Sequence, residues 1–355
     1  MSVRKKNLFK NSLSINDYFI HDNNLSQVID LRSESEFNLD HIPGAKNYPV
    51  LDDEQRKLVG TLYKTNPFEA KKIGASIICK NISHFLESSW KNNSKDWNPI
   101  LYCWRGGLRS KSTCHILEKI GWKARIIDGG YKSYRKYVIE KTAAITNEMS
   151  FIVVCGLTGS GKTKFLNEIS ASKQILDLED LASHRGSLLG DIPDKQQPSQ
   201  KMFESMLLEQ LKKFDKDKKI YVESESKKIG NVQIPDSLID VIRKSECIWL
   251  ELPDEERIKL LKKEYEHLVI DKKKLNLLTL KIKKIKNQEI YNAKRLSKNE
   301  NIDEIIGELL HEHYDPAYKS SMKKNFKMIA MAKRIYISKF SSYSSEVEEE
   351  IKRLG

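Results

Sequence analysis

The sequence predicts an α/β protein of two successive parallel-sheet domains, residues 1–140 and 141–355, the second ending in a helical C-terminal region. Three observations carry that prediction. Short apolar runs alternate with helical stretches along both halves, the strand–helix–strand rhythm of parallel sheets. Each half contains a strand that runs into a glycine-bearing loop and then a helix: Tyr102-Cys-Trp-Arg-Gly-Gly-Leu-Arg-Ser110 in the first, Gly156-Leu-Thr-Gly-Ser-Gly-Lys-Thr163 in the second. Beyond about residue 254 the strand signals stop, and the chain reads as basic and helix-rich.

Residues 27–32 (Gln-Val-Ile-Asp-Leu-Arg) form a short apolar run closing on charge, the mark of a buried strand. Ser33 follows as an N-cap with Glu36 three residues on, a helix start. His41-Ile-Pro-Gly-Ala45 reads as a turn, and Ala45 to Val50 as a short strand. Helical sequence over 53–91 is broken at Asn66-Pro67. A strand over 98–103 delivers Cys103 to its tip, a helix over 110–120 closes on Gly121, and another strand spans 123–128. Residues 132–149 read as the connector between domains. Ser150 to Cys155 is a continuous apolar strand, and a helix starts at Lys162. Strands at 174–179, 219–223 and 246–252 then alternate with helices at 199–213 and 236–244. The C-terminal region includes the basic run Lys272 to Lys286, and no internal repeat occurs.

A chain of 355 residues with 39% hydrophobic and 31% charged content is long enough for two cores and is composed like a folded soluble protein. No apolar run approaches the roughly 18 residues that a membrane span needs. The N-terminal Met-Ser-Val-Arg-Lys-Lys-Asn carries no apolar stretch behind its charge, so no secretory signal is read and a cytoplasmic location is expected. Five scattered cysteines without a CxxC pair argue against a disulfide framework or a cysteine zinc site. Net charge is 62 − 49 = +13, which suits a polyanionic partner and equally suits solvated lysine-rich helix faces. His267, His311 and His313 lie in basic sequence without metal-ligand partners and are read as surface residues.

Cys103 stands where a strand ends and a helix begins. Gly106 and Gly107 let loop amides turn inward, the helix N-terminus adds partial positive charge, and Arg105 and Arg109 add full charges. All of these stabilise thiolate over thiol and would cradle the anion that the sulfur attacks or carries. Cys79, Cys114, Cys155 and Cys247 lie in apolar contexts and read as packing residues. The stretch resembles a rhodanese domain, as do the upstream pieces Val28-Ile-Asp-Leu-Arg32, Glu36-Phe37 and His41-Ile-Pro-Gly-Ala45. The resemblance implies that Cys103 is the catalytic cysteine and carries sulfur or selenium. Five residues separate Cys103 from Arg109, where typical sulfurtransferases of that family have four. The longer loop is similar to that of dual-specificity phosphatases, which keeps a phosphatase as the alternative.

Gly156-x-x-x-x-Gly161-Lys162-Thr163 matches the P-loop motif at every fixed position, after a strand and before a helix, so the second domain reads as P-loop NTPase-like. Amides over 158–163, with Gly159, Ser160 and Gly161 among them, are expected to converge on a phosphate. Lys162 supplies charge, and Thr163 is a candidate Mg²⁺ ligand. Asp177 and Glu179 are candidate substrate, metal or water contacts, or else plain strand-end polarity. Arg185, in His184-Arg-Gly-Ser187, is a candidate second phosphate contact, and Glu223 ends a strand on the sheet edge where ligands bind in such folds.

A rhodanese-like domain ahead of a P-loop domain resembles the tRNA 2-selenouridine synthase family through about residue 320. Further short motifs keep that order: Asp128-Gly-Gly-Tyr131, Asp177-Leu-Glu179, His184-Arg-Gly-Ser187, Pro198-Ser-Gln200, Ile229-Gly230 with Ile234-Pro235, and Tyr314-Asp-Pro316. The resemblance implies conversion of wobble 2-thiouridine to 2-selenouridine in the anticodon arm of tRNA. Sulfur is first geranylated from geranyl diphosphate, and selenium from selenophosphate then replaces the geranylated sulfur. It implies no tightly bound cofactor, an enzyme that supplies selenophosphate as a partner, and no membrane. Which loop seats selenophosphate, and whether Cys103 carries selenium covalently or attacks another centre, stay open at this level. The alternative is a rhodanese- or phosphatase-like domain fused to a nucleotide-dependent kinase or switch.

Overall fold

The computed structural model describes residues 11–22, 26–186, 195–264, 310–339 and 341–354, with Ile192, Asp303, Ile306 and Gly307. Ser187, His267 and the basic run Lys272 to Lys286 lie outside the described residues. Two compact units emerge, Met1–Thr142 with Pro198–Glu209, and Ala143–Gln197 with Gln210–Gly355.

The first unit is built on a parallel sheet of β1 (Ser12–Leu13), β2 (Val28–Asp30), β3 (Lys46–Asn47), β4 (Ile100–Tyr102) and β5 (Arg125–Ile127) in the order β1-β5-β4-β2-β3. Its helices are α1 (Ile15–Asp17), α2 (Glu34–Leu39), α3 (Asp53–Thr65), α4 (Pro67–Glu87), α5 (Leu108–Ile120) and α6 (Gly130–Glu148). Ser33 and Glu36 close a capping box on α2. Asn66 ends α3 and caps α4 by accepting from the Glu69 amide, with Pro67 behind it, so this one dipeptide makes two helices of one pattern. The core gathers Ile29, Leu31, Leu101, Ile126, Cys114, Leu117 and Trp90, and each such aliphatic side chain contributes about 1.5–3 kcal/mol by leaving water.

The stretch 132–149, expected as the connector, is helical: it forms most of α6, whose buried Tyr131, Tyr134 and Val138 recur at helical spacing, and the division between the units falls within it, after Thr142. The segment 198–209, expected in the second domain, belongs to the first unit. It opens α9 (Gln200–Leu211), buries Phe203, Leu207 and Leu208, and meets Arg135, which pairs with Glu204 and donates to Ser205 Oγ at 3.1 Å.

The second unit holds a parallel sheet of β6 (Phe151–Gly156), β7 (Gln174–Leu176), β8 (Ile220–Glu223), β11 (Glu246–Glu251) and β12 (Lys333–Tyr336) in the order β12-β11-β6-β8-β7. A small antiparallel hairpin, β9 (Lys228–Ile229) and β10 (Val232–Gln233), turns at Gly230. Around the sheet lie α7 (Lys162–Ile169), α8 (Leu178–Ala182), α10 (Asp236–Ile242), α11 (Asp254–Glu264), α12 (Asp315–Asn325) and α13 (Tyr343–Leu354). Central β6 is buried along its whole length, which is why its sequence is unbroken by polar residues. Ile152, Val154, Ile248, Leu250 and Ile335 pack with Phe165, Leu166 and Ile169 of α7 and with Tyr343 and Val347 of α13.

Strands do not stop at residue 254: β12 adds a fifth strand to this sheet. Only Ile335 of its four residues is buried, and Lys333 and Arg334 blunt its free edge. The strand expected over 174–179 ends at Leu176 because Asp177 caps α8. Among the described residues no helix is long and apolar enough to cross a membrane.

Candidate functional site

Cys103 follows β4 directly and is 2% exposed. Its Sγ lies 3.3 Å from Ser110 Oγ, one turn into α5. Gly107 caps α5 without offering a side chain, so the first amides of the helix have no acceptor from it. That leaves a helix N-terminus facing the sulfur, the arrangement that favours an anion. Gly106 takes φ +62°, which turns the loop back over the cysteine. Arg109 reaches across to Glu36 with 3.4 Å between Nη1 and Oε2, while Arg105 is exposed. Of the two expected cations, one is therefore partly neutralised and the other stands in solvent.

The loop rests on Asp128-Gly-Gly-Tyr131. The Tyr131 amide donates to Cys103 O at 2.8 Å and the Lys132 amide to Trp104 O at 3.0 Å. A Cβ on Gly130 would stand 2.2 Å from Cys103 O and 2.5 Å from Gly106 N, and Gly130 takes φ +56°. Beneath it, Arg32 forms a buried pair with Asp30 at 2.6 Å, and its guanidinium lies 3.8 Å from the Tyr131 ring centre. Tyr131 Oη donates to buried Asp40 at 2.8 Å. Gly130→Ala is therefore expected to lower the thermal midpoint well beyond Gly44→Ala, whose φ is +78° but whose Cβ would meet nothing within 4 Å. The control carries only the backbone cost of about 1–3 kcal/mol. Equal losses in thermal unfolding would show that the cysteine loop can shift aside.

In the second unit the phosphate loop leaves β6 at Gly156 and enters α7 at Lys162, with Gly159 at φ +78° and Gly161 at φ +80°. Gly161 caps α7, again without a side chain. The Ser160 amide donates to Leu157 O at 3.0 Å, and the Gly156 amide donates to Tyr318 Oη at 3.1 Å. The expected concavity is thus formed by fewer amides than the motif allows. Lys162 Nζ donates to Gly156 O at 3.2 Å, and Thr163 Oγ1 donates to Glu223 Oε1 at 2.6 Å. A cavity of about 560 Å³ opens over this loop, and Glu179, Arg185 and Glu223 line it. Asp177 does not, because its carboxylate accepts the Asp180 amide at 2.8 Å as the cap of α8.

Glu179, Glu223 and Glu225 hold carboxylate oxygens within 4.8 Å of one another. Burial, and then the charges of Glu223 and Glu225, push Glu179 up to about 9. Burial and Glu223 push Glu225 up to about 7, and burial raises Glu223 as well, against the pull of Lys162 and the Thr163 hydroxyl. Burial opposes the charge of Lys162, but Tyr318 and the three glutamates outweigh it and hold the ammonium above its ordinary range. Three crowded carboxylates beside a threonine hydroxyl are an all-oxygen donor set, which fits a hard divalent cation such as Mg²⁺. Gly186 is packed against this cluster, since a Cβ there would meet Glu179 Oε1 at 2.6 Å, and so Arg185 is held at the cavity wall.

Sequence reasoning missed the braces of the loop. Arg257, 1% exposed, donates Nε to Thr158 O at 2.9 Å and pairs with Asp315 at 2.6 Å. Asp315 belongs to Tyr314-Asp-Pro316, so that motif acts by tying α12 to the loop. Tyr318 on the same helix also meets Ser224 Oγ at 2.6 Å. Tyr343 Oη donates to Gly161 O at 2.7 Å, and a Cβ on Gly161 would strike its ring at 2.8 Å. Glu225 and Ser110 carry no motif signal of their own; only their partners in space give them a role.

Comparison with known proteins places both units. Residues 19–137 match the profile of the rhodanese-like domain, and residues 149–276 match that of the tRNA 2-selenouridine synthase AAA domain. The chain is 38% identical over 243 residues to a tRNA 2-selenouridine synthase of Nitrosomonas europaea, covering 67% of this chain and 63% of that protein. It is 36% identical over 244 residues to one of Shewanella piezotolerans, covering 68% and 66%. Each match spans less than two thirds of the relative's own length. Among solved structures, the N-terminal domain of a putative ATP/GTP binding protein from Clostridium difficile 630 is 32% identical over 36% of this chain and 98% of that one, with a TM-score of 0.31.

Proposed function

The chain belongs to the tRNA 2-selenouridine synthase family, and from that premise we propose that it is a transferase that replaces sulfur by selenium in a wobble 2-thiouridine of tRNA. The observation that carries the two-stage form of this reading is the make-up of the cavity over the phosphate loop. Its lining joins Lys162, Thr163 and Arg185 with Leu260, Leu261, Ala317, Met322 and Phe326. A polar cradle beside an apolar wall suits an alkyl diphosphate such as geranyl diphosphate, with the diphosphate on the loop and the chain on the wall.

The chemistry then divides between the loops. Sulfur of the thiouridine attacks the first carbon of the geranyl group, a C–S bond forms, and diphosphate leaves into the cradle. Lys162 and the free amides of the loop bind that developing charge. Mg²⁺, if held by Thr163 and the glutamates, supplies further charge neutralisation there. Alkylation makes sulfur a leaving group: selenium of selenophosphate bonds to the base carbon as the C–S bond breaks and geranylthiol leaves, and water then cleaves the Se–P bond to release phosphate and leave the selenated base. Cys103, with its helix N-terminus, serves this second stage. The test is to incubate thiolated tRNA with geranyl diphosphate and selenophosphate and analyse the nucleosides by mass spectrometry. Geranylated and then selenated uridine are the expected products; absence of both defeats the reading.

A second reading is favoured by the Thr163–Glu223 contact and the glutamate cluster, which equally suit a Mg²⁺-nucleotide in a kinase or switch. Hydrolysis of ATP or GTP at a rate indifferent to tRNA would select it.

A further inference from the structure

The second unit carries another cavity besides that over the phosphate loop. It measures about 710 Å³ and lies against β11 and β12, walled by α12 and the short 3₁₀ turn Ile329–Met331. Register pairs Trp249 with Arg334 and Glu251 with Tyr336, so these four stand on one face of the sheet edge while Ile335 turns into the core. Trp249, Met322 and Ile329 make the groove apolar below, and Tyr336, 61% exposed, stands at its side.

Its charge is one-sided. Residues 316–339 contain Lys319, Lys323, Lys324, Lys327, Lys333, Arg334 and Lys339 and no acidic residue. Lys319, Lys323 and Arg334 line the groove; its acid, Glu251, is spent on Arg334. The six lysines have no carboxylate partner among the described residues. Ser160 of the phosphate loop also lines the groove, 1% exposed and with its Oγ unpartnered.

We propose that this groove is a binding site for unpaired RNA, whose phosphates meet Lys319 and Lys323 and one of whose bases stacks on Tyr336. Cations that follow a backbone, with an aromatic face between them, are what single strands require, and a concavity takes a splayed base where a duplex would not enter. The proposal rests on the reading of the chain as a tRNA-modifying enzyme and adds where the unpaired loop of that tRNA is gripped.

The test titrates a fluorescein-labelled anticodon stem–loop transcript with the full chain and follows anisotropy at several salt concentrations. Lys319→Ala/Lys323→Ala is expected to weaken binding and to reduce the slope of log Kd against log salt by about 2. Tyr336→Ala should weaken binding about tenfold at an unchanged slope, while Tyr336→Phe retains affinity. Thermal protection by inorganic pyrophosphate reports the phosphate loop and should persist in all three variants. Wild-type affinity and slope in the double variant, while the parent chain binds, overturn the groove and leave the tRNA reading standing. Loss of pyrophosphate protection with RNA binding intact also overturns it, since the groove would then serve the phosphate ligand. A parent chain that binds neither this RNA nor whole tRNA removes the reading underneath.

Discussion

Cys103→Ser is expected to abolish selenium incorporation, by at least about a thousandfold, while changing affinity for tRNA by less than about twofold. Serine differs by one atom in a site that is 2% exposed, so the fold of β4 and α5 should persist. What it lacks is the sulfur, a more polarisable and intrinsically stronger nucleophile than a hydroxyl. The readout is nucleoside mass spectrometry after supplying S-geranylated tRNA and selenophosphate, so that the alkylation stage is bypassed. Cys114→Ser is the matching control. Its thiol is buried, donates to Ala124 O at 3.4 Å, and is pushed up to about 12 by burial and Glu118, so its loss should leave turnover intact. Full selenation by Cys103→Ser would mean that another group is the nucleophile.

What the sequence made legible is what local chemistry carries. Ser33 with Glu36, the break at Asn66-Pro67, Gly121 closing a helix and the two strand–loop–helix motifs each sit within a few residues of the structure they dictate. Pairs distant along the chain left no such mark. Arg257 and Asp315 are 58 positions apart, and Gly156 and Tyr318 are 162 apart, yet these contacts set the shape of the phosphate loop. β12 was hidden for a different reason: as an edge strand it buries one residue in four, and its lysine and arginine read as helix surface. α6 has polar composition between its buried residues, so its helical signal rests on the spacing of Tyr131, Tyr134 and Val138 alone.

Lys162→Ala should lower kcat/KM for the diphosphate donor by about 10²–10³, the usual cost of removing a charged or oxyanion-binding donor from a catalytic site. The effect has two parts. The ammonium that would face the departing diphosphate is gone, and Glu179, Glu223 and Glu225 lose the cation that lowers all three. They then repel the anion more strongly or take up protons that a Mg²⁺ ion would have to displace. Arginine should not rescue, since a planar guanidinium does not fit where Nζ now reaches Gly156 O at 3.2 Å. Run on thiolated tRNA with geranyl diphosphate, the assay should show geranylation failing. Run on pre-geranylated tRNA with selenophosphate, it should show selenation at the parent rate. That split separates the stages by loop. If Lys162→Ala instead loses both steps alike, the phosphate loop seats selenophosphate too, and Cys103 acts only after selenium has been delivered from there.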